Sequence, residues 1–378
     1  MDRLGTGPLE PVSSSRRRAG LLAAGFAAAL ALRVVLLLAI HPNYDTESYD
    51  LVTDIAQRGG DPYAETGRYN YSPLWSRVLL GVAFAADVTG LRRTTVLGLL
   101  LLAGDAAASA LVFLLAGRRR GREAGVLAAL SFFANPVSIL VSSSHLQFDG
   151  LAILGLLGAI VLSERERDGP AAAALSLSLL VKHVAAVHPL LFRRRPGLRG
   201  WLPVLAPYAV FLASFAPYLA SWREIRDRVL LYRGLTFHYG IEALLLVPGV
   251  PEWVPIAIFA AAVTLAVVRL RSRSVALPRA SLLLFLVVLV FAPGFGRQYC
   301  VWPIALGAVS GGAGYVLYSA VAAAFLVGSI FRPESIAAVL PGWYGPWWAA
   351  IAWLLWELRR GRPRGAPPNP VKIAANSK

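Results

Sequence analysis

The feature that most constrains the fold is a series of apolar blocks between residues 19 and 358, each close to the roughly 20 residues that an α-helix needs to cross a bilayer. Soluble proteins carry about 25% charged residues, whereas charged residues make up only 15% of this chain. The pattern predicts an all-α, polytopic transmembrane helical bundle.

The distribution of basic residues predicts the topology of this bundle. A net charge of +16 would suggest nucleic-acid binding in a soluble protein. Here most basic residues form short clusters between the apolar blocks, at residues 16–18, 118–122, 193–199, 269–279 and 359–364. About twelve spans, with both termini in the cytoplasm, put every cluster on one side, as the positive-inside rule requires. The expected partner is therefore a lipid bilayer, and nucleic acid is excluded.

A single transmembrane catalytic domain is predicted for residues 19–358, with its first outer loop at 41–93. It lies between a cytoplasmic tail (1–18) and a basic cytoplasmic tail (359–378). The apolar stretch Val78–Val88 inside the loop must not span, because one more span would put the arginine clusters on alternating sides.

Two further features bear on organisation. Residues 170–192 look too long for one short span and are predicted to form two short spans that meet on the outer side. The single cysteine, Cys300, excludes an internal disulfide framework and a cysteine-built metal site.

The first outer loop carries four carboxylates soon after the first span: Asp45, Glu47, Asp50 and Asp54. If this segment is helical, Asp50 and Asp54 share a face, because residues four apart are neighbours on a helix. One interpretation is a solvated loop with an interfacial belt of tyrosines. The other is a general base held near the headgroups, where partial desolvation strengthens a carboxylate as a base.

A second polar segment, His145-Leu-Gln147-Phe-Asp149, stands where the third span emerges and the fourth begins. Pro136 precedes it and is expected to break or kink that helix end. Capping of the fourth span is an alternative explanation, and it suits Asp149 better than His145 and Gln147.

Several cations are predicted on the outer side, where pairing with an anionic ligand would explain them. Lys182 stands inside an apolar segment, where an unpaired charge is costly, and Arg233 and Arg297 lie in later outer segments. Arginine binds phosphate through two donors, and lysine acts as a point charge. Arg33 in the first span raises the same question, with snorkelling or interhelical pairing as alternatives.

These parts suit one reaction. A lipid-linked phosphosugar would place its prenyl tail between spans and its phosphate on buried cations, while a carboxylate deprotonates the acceptor hydroxyl. Phosphate is a good leaving group once its charge is neutralised, so one base and a phosphate clamp would suffice.

Short motifs resemble the GT-C superfamily of membrane glycosyltransferases, which use polyprenyl- or dolichyl-phosphate sugars. NYDTESYDLVTDIAQRGGDPY with YNYSPLW resembles the family's first lumenal loop, in which an acidic residue shortly after the first span is the catalytic base. RRTTVLGLLLLAGD and SSSHLQFDGLAILGLL resemble its second and fourth spans. LLVKHVAAVHPLLF resembles the lysine- and histidine-bearing hairpin of N-glycan glucosyltransferases, and APGFGRQYCVWP a late outer turn of bacterial members. The first loop also resembles that of the mannosyltransferase of GPI-anchor synthesis.

The resemblance implies an inverting transferase that moves a hexose, mannose being favoured, from a polyprenyl-phosphate donor to a lipid-linked or glycan acceptor. Asp45 matches the base, Glu47 the acidic residue two positions on, and Lys182 and His188 the hairpin cation and histidine. Lys182, Arg233 and Arg297 are the candidates for the donor phosphate. The candidate substrate-binding residues are Glu47, Tyr71, His145, Gln147, Asp149 and His188.

The resemblance also bears on cofactors and location. No cofactor is required, although Asp45 and Glu47 are placed to share a divalent cation, and no cysteine/histidine cluster supports zinc. N-glycan glucosyltransferases have asparagine where this chain has Asp149. The expected location is a bacterial cell membrane, or the ER membrane in a eukaryote, with the active site on the outer face.

Two other functions remain as alternatives. A lipid-linked sugar flippase or other transporter would place polar residues along a midplane path, and a non-catalytic membrane scaffold would not bring the outer carboxylates together. The enzyme interpretation instead expects Asp45, Gln147 and Lys182 to line one outward cavity.

Overall fold

The computed structural model describes residues 12–39, 42–192, 197–232, 241, 249–273, 275–331 and 345–360. Over these residues the chain is helical and contains no β-strand. The α-helices described are α1 (Val12–Leu38), α2 (Tyr44–Gln57), α3 (Pro62–Glu65), α4 (Pro73–Thr89), α5 (Arg93–Arg120), α6 (Arg122–Phe133), α7 (Pro136–Ile139), α8 (Asp149–Glu164), α9 (Asp168–Val181), α10 (Leu202–Ala213), α11 (Trp222–Ile225), α12 (Trp253–Ser272), α13 (Leu277–Phe291), α14 (Ile304–Ser310), α15 (Ala313–Phe331) and α16 (Gly345–Arg360).

Among the described helices, four are long and apolar enough to cross a membrane: α1 from Arg17 onwards, α5, α12 and α15. Two bent pairs raise this number to six, one formed by α6 with 136–144 and one by α10 with 216–230. Helices α9 and α13 are apolar but have only 14 and 15 residues. The described residues thus have the several apolar helices expected of a membrane protein, while twelve spans are not seen.

Residues 42–92 fold into short helices at one end of the bundle, which we call the loop face. Helix α2 begins after Asn43, whose side chain accepts hydrogen bonds from the backbone N–H groups of Asp45 and Thr46. Such an N-cap satisfies donors that the first helical turn leaves unpaired. Helix α4 contains Val78–Val88 and is not among the helices long and apolar enough to cross, in agreement with its predicted non-spanning role.

The predicted break at Pro136 is confirmed. Helix α6 ends at Phe133, and the segment that restarts at Pro136 is bent by 44° from it. A π-helical turn, Leu140–Ser144, continues α7 and leads directly into His145. Proline removes a backbone donor and clashes with the preceding turn, which accounts for the bend.

The prediction of two short spans in residues 170–192 is wrong. Helix α9 ends at Val181, Lys182 has extended backbone (φ −161°, ψ 133°), and two 3₁₀ turns follow at His183–Ala185 and His188–Leu191. Such turns occur in short pieces, and Pro189 lacks the N–H that a continued helix would use. Lys182 therefore lies at the end of a helix and not at the apex of a helical hairpin.

Arginines from several helices meet at the opposite end, which we call the arginine face. Arg120 of α5 donates to the carbonyl of Ala308 at 3.3 Å. The carboxylate of Glu357 in α16 lies 3.3 Å from Nε of Arg279 and 3.5 Å from Nη1 of Arg360. The structure thus brings basic residues of α5, α13 and α16 to one end, as the sequence pattern predicts.

Candidate active site

Asp45 stands in the first turn of α2, at the loop face. The Asn43 cap fixes this turn, and the Asp45 side chain remains 26% exposed. A carboxylate in the first helical turn is stabilised by the positive end of the helix dipole. Asp45 is therefore a positioned carboxylate that a ligand can reach.

His145 is the neighbour of Asp45 from the second polar segment. Its Nδ1 lies 3.6 Å from Oδ2 of Asp45, which is longer than a hydrogen bond. Burial lowers the pKa of His145, the Asp45 charge raises it, and the charges of Arg297 and Lys182 lower it. The net effect lowers the pKa of His145 and favours a neutral imidazole next to Asp45.

Lys182 and Asp149 form a buried ion pair. Nζ of Lys182 lies 2.6 Å from Oδ2 of Asp149, and Trp302 donates from Nε1 to Oδ1 of the same carboxylate at 2.7 Å. Asp149 is fully buried, and Lys182 is 6% exposed. Asp149, the first residue of α8, is thus the ion-pair partner of Lys182.

Gln147 extends this pair. Its Oε1 lies 3.5 Å from Nζ of Lys182, and its buried Nε2 has no hydrogen-bond partner among the described residues. Nζ also lies 4.9 Å from the ring centre of Phe148 and 5.4 Å from that of Tyr71. The ammonium has three N–H donors, and the acceptors Asp149 and Gln147 take at most two of them, so within the described part of the chain one donor remains for a ligand.

A cavity of about 240 Å³ lies beside Lys182. Helices α12 and α13 supply apolar walls through Phe259 and Val288. Its polar and aromatic walls are formed by Asn70, Tyr71, Lys182, His183, Tyr232, Gln298, Tyr299 and Trp302. A second cavity of about 220 Å³ shares His183 and Ala186 with it and is lined mainly by apolar side chains. Together, the two cavities have a polar end beside Lys182 and an apolar end in the second cavity.

The expectation that Asp45, Gln147 and Lys182 line one cavity is wrong, because Lys182 lines this cavity and Asp45 and Gln147 do not. Tyr71 connects Asp45 with the cavity, because it lines the cavity and lies close to the carboxylates of Asp45 and Asp149. Burial raises the pKa of the Tyr71 hydroxyl, and the charges of Asp45 and Asp149 raise it further. The carboxylate of Asp45 and the ammonium of Lys182 are thus arranged around one neutral tyrosine.

Three other predicted residues lie elsewhere. His188 is fully buried, with Nε2 3.2 Å from the carbonyl of Ser281, and does not line the cavity. Arg297 donates to the carbonyl of Ser329 at 2.9 Å, and Glu47 lies 3.5 Å from Arg68. Arg233 lies outside the described residues. Of these four residues, Arg297 still affects the site, because its charge lowers the pKa of His145.

Six residues of the polar and aromatic walls of the cavity were missed by sequence reasoning: Asn70, His183, Tyr232, Gln298, Tyr299 and Trp302. Trp302 could have been predicted as a site residue from the sequence, because a buried indole N–H needs an acceptor and the turn 292–303 follows an apolar block. His183 adjoins Lys182 in sequence, and the 3₁₀ turn, which sequence reasoning did not foresee, brings it and not His188 to the cavity.

No protein-family model matches the chain, and no curated protein sequence matches it. The likeness to GT-C enzymes therefore stands on the motifs of the chain itself. Among the described residues, no group of three His, Cys, Asp or Glu side chains is placed to hold a metal ion.

Proposed function

We propose that the chain is an inverting membrane glycosyltransferase that uses a polyprenyl-phosphate monosaccharide and acts on the non-cytoplasmic face of a cell membrane. The acceptor is a lipid-linked or glycan hydroxyl, and mannose is the favoured sugar. The proposal includes a GT-C-like bundle of about twelve spans with both termini in the cytoplasm. The observation that carries it is the arrangement of an accessible carboxylate, Asp45, and a buried cation, Lys182, around Tyr71.

In this reaction Asp45 removes the proton of the acceptor hydroxyl. The acceptor oxygen forms a bond to the anomeric carbon, opposite the phosphate, while the bond from that carbon to the phosphate oxygen breaks. The polyprenyl phosphate leaves with the electron pair, and Lys182 stabilises its charge. Arg297 contributes at longer range.

The adjoining cavities support the placement of the donor. The phosphate and sugar would lie beside the free donor of Lys182, and the first part of the prenyl chain would continue past His183 into the apolar cavity. The acceptor would approach the exposed side of Asp45. Tyr71 would lie beside the point where the acceptor oxygen meets the donor sugar, and its protonated hydroxyl is a hydrogen-bond donor for the transferred sugar.

The test is sugar transfer from a panel of prenyl-phosphate sugars by purified wild type and by Asp45→Asn. We expect the variant to lose about 10²–10⁴-fold in rate, the contribution of a general base. Asp54→Asn is the matched control, because Asp54 is on the same helix, is 59% exposed and lies 3.0 Å from Arg93. Unchanged transfer by Asp45→Asn would remove Asp45 from the role of base. Movement of a prenyl-phosphate sugar across vesicles without transfer would favour the transporter.

A further inference from the structure

Arg33 lies in α1, which is long and apolar enough to cross the membrane, and is fully buried with every donor group engaged. Its Nη1 lies 2.6 Å from Oδ2 of Asp105 in α5. Its Nη2 donates to the Ser138 hydroxyl at 2.8 Å, and Nη2 and Nε donate to the carbonyl of Phe133 at 2.9 and 3.0 Å. An ionisable residue inside a span is costly unless it is paired and is usually retained for a reason.

The carbonyl of Phe133 is free because of the break at Pro136. In a continuous helix it would accept from the backbone N–H of Val137. That N–H donates instead to the side chain of Asn135 at 2.9 Å. A buried carbonyl without a partner is destabilising, and Arg33 supplies two donors to it.

Arg33 and Asp105 also hold the π-helical turn that follows. Nη1 of Arg33 lies 3.0 Å from the Ser142 hydroxyl and 3.3 Å from that of Ser143. Ser142 donates to Oδ2 of Asp105 at 2.5 Å. The pair therefore contacts the chain at Phe133, Ser138, Ser142 and Ser143, from the end of α6 to the last turn before His145.

Beyond this turn, Leu146 has φ +54°, a left-handed conformation that is strained for a residue with a β-carbon. Such strain persists only where the surroundings over-determine it, and π-turns are frequent at functional sites. The residues on either side of Leu146 are His145 and Gln147, which face Asp45 and Lys182.

We infer that Arg33 and Asp105 are positioning residues, which fix the conformation of His145–Asp149 from inside the membrane. Their consequence for catalysis rests on the proposed function. Neither residue lines either of the cavities described above. Loss of the pair would therefore act on the site through the backbone of this segment and not by removing a contact to substrate.

The test compares hydrogen exchange of the backbone amides of His145 and Gln147, which donate to the carbonyls of Leu140 and Val141 at 2.9 and 3.0 Å. In the double variant Arg33→Met/Asp105→Leu, which leaves no unpaired buried charge, we expect these amides to exchange at least about tenfold faster than in wild type. Arg33→Lys keeps the charge but not the planar fork, and we expect an intermediate increase.

Glu357→Gln is the matched control, because it breaks a buried ion-pair network at the arginine face. It should lower stability and leave the amides of His145 and Gln147 unchanged. Unchanged exchange in a folded Arg33→Lys or double variant would overturn the inference. So would a change in these amides of equal size in Glu357→Gln.

Kinetics then separate this inference from the proposed function. If wild type transfers sugar, the double variant should show a lower kcat, because His145 adjoins the base. If no donor is used but exchange rises as expected, the positioning role stands and the proposed function fails. If sugar is transferred and exchange is unchanged, the positioning role fails alone.

Discussion

Removing the Lys182 charge tests whether the Lys182–Asp149 pair is held as the structure indicates. Lys182→Met leaves the fully buried Asp149 carboxylate with the Trp302 indole as its one partner among the described residues. Breaking a buried ion pair from one side costs about 3–5 kcal/mol. Unfolding entropy is about 2.1 cal/mol/K per residue, so over 378 residues the apparent Tm should fall by about 4–6 °C.

The double variant Lys182→Met/Asp149→Asn gives the sharper outcome. Asparagine is neutral and still offers an oxygen to Trp302, so the second change removes the unpaired charge that the first created. Coupling between contacting residues reaches about 0.5–3 kcal/mol. We therefore expect the double variant to melt about 1–4 °C above Lys182→Met, even though it carries one more substitution.

The measurement is the apparent Tm of purified protein in one detergent, followed by loss of the monodisperse peak on heating. Ser178→Ala is the matched control, since Ser178 is buried on the same helix and donates to the carbonyl of Ala152 at 2.6 Å. It should cost about 1 kcal/mol, or about 1 °C. A double variant that melts below Lys182→Met, at the sum of the two single effects, would refute the pairing.

Two further outcomes follow from the structure. Because burial lowers the pKa of His145, the unfolded chain binds its proton first as pH falls below about 6.5. Stability from this residue is therefore present above that pH and is lost on acidification, by up to about 1.4 kcal/mol per unit. Between pH 7.5 and 5.5 the apparent Tm of wild type should fall up to about 2 °C further than that of His145→Gln, and parallel curves would contradict this. Gly155→Ala should cost about 1–3 kcal/mol, because a β-carbon there would approach Ser178 to 2.9 Å and the Ala174 carbonyl to 3.0 Å. Gly81→Ala, which meets no atom within 4 Å, should instead gain up to about 1 kcal/mol, and equal effects of the two on Tm would disprove tight packing of α8 on α9.

The parts of the fold that sequence reasoning predicted well are those set by length and apolarity. The apolar blocks at residues 19–38 and 253–269 lie within α1 and α12, which are both long and apolar enough to cross a membrane. Residues 170–192 were predicted wrongly because apolarity alone does not distinguish a helix from consecutive 3₁₀ turns. The extended backbone at Lys182 depends on tertiary contacts, which a local pattern does not contain.

The same limit applies to the site. Asp149 and Lys182 were each singled out from sequence, but as a pocket residue and a phosphate ligand. Their pairing depends on the packing of the start of α8 against the end of α9, 33 positions apart in the chain. A charge in an apolar block predicts that a partner exists, and it leaves open whether that partner is a substrate or another residue.

Two buried ion pairs bound the segment that carries the candidate chemistry. Arg33–Asp105 holds it at Phe133–Ser143, and Lys182–Asp149 holds its other end. Between these ends lie His145 and the strained Leu146. Neither belongs to a helix, and leucine does not by itself favour the left-handed backbone conformation found at Leu146. Buried pairs add little to stability relative to apolar packing, so the value of the Arg33–Asp105 pair here is positional. Since both pairs restrain one backbone segment, removing either should loosen His145, and removing both should loosen it by less than the sum of the two.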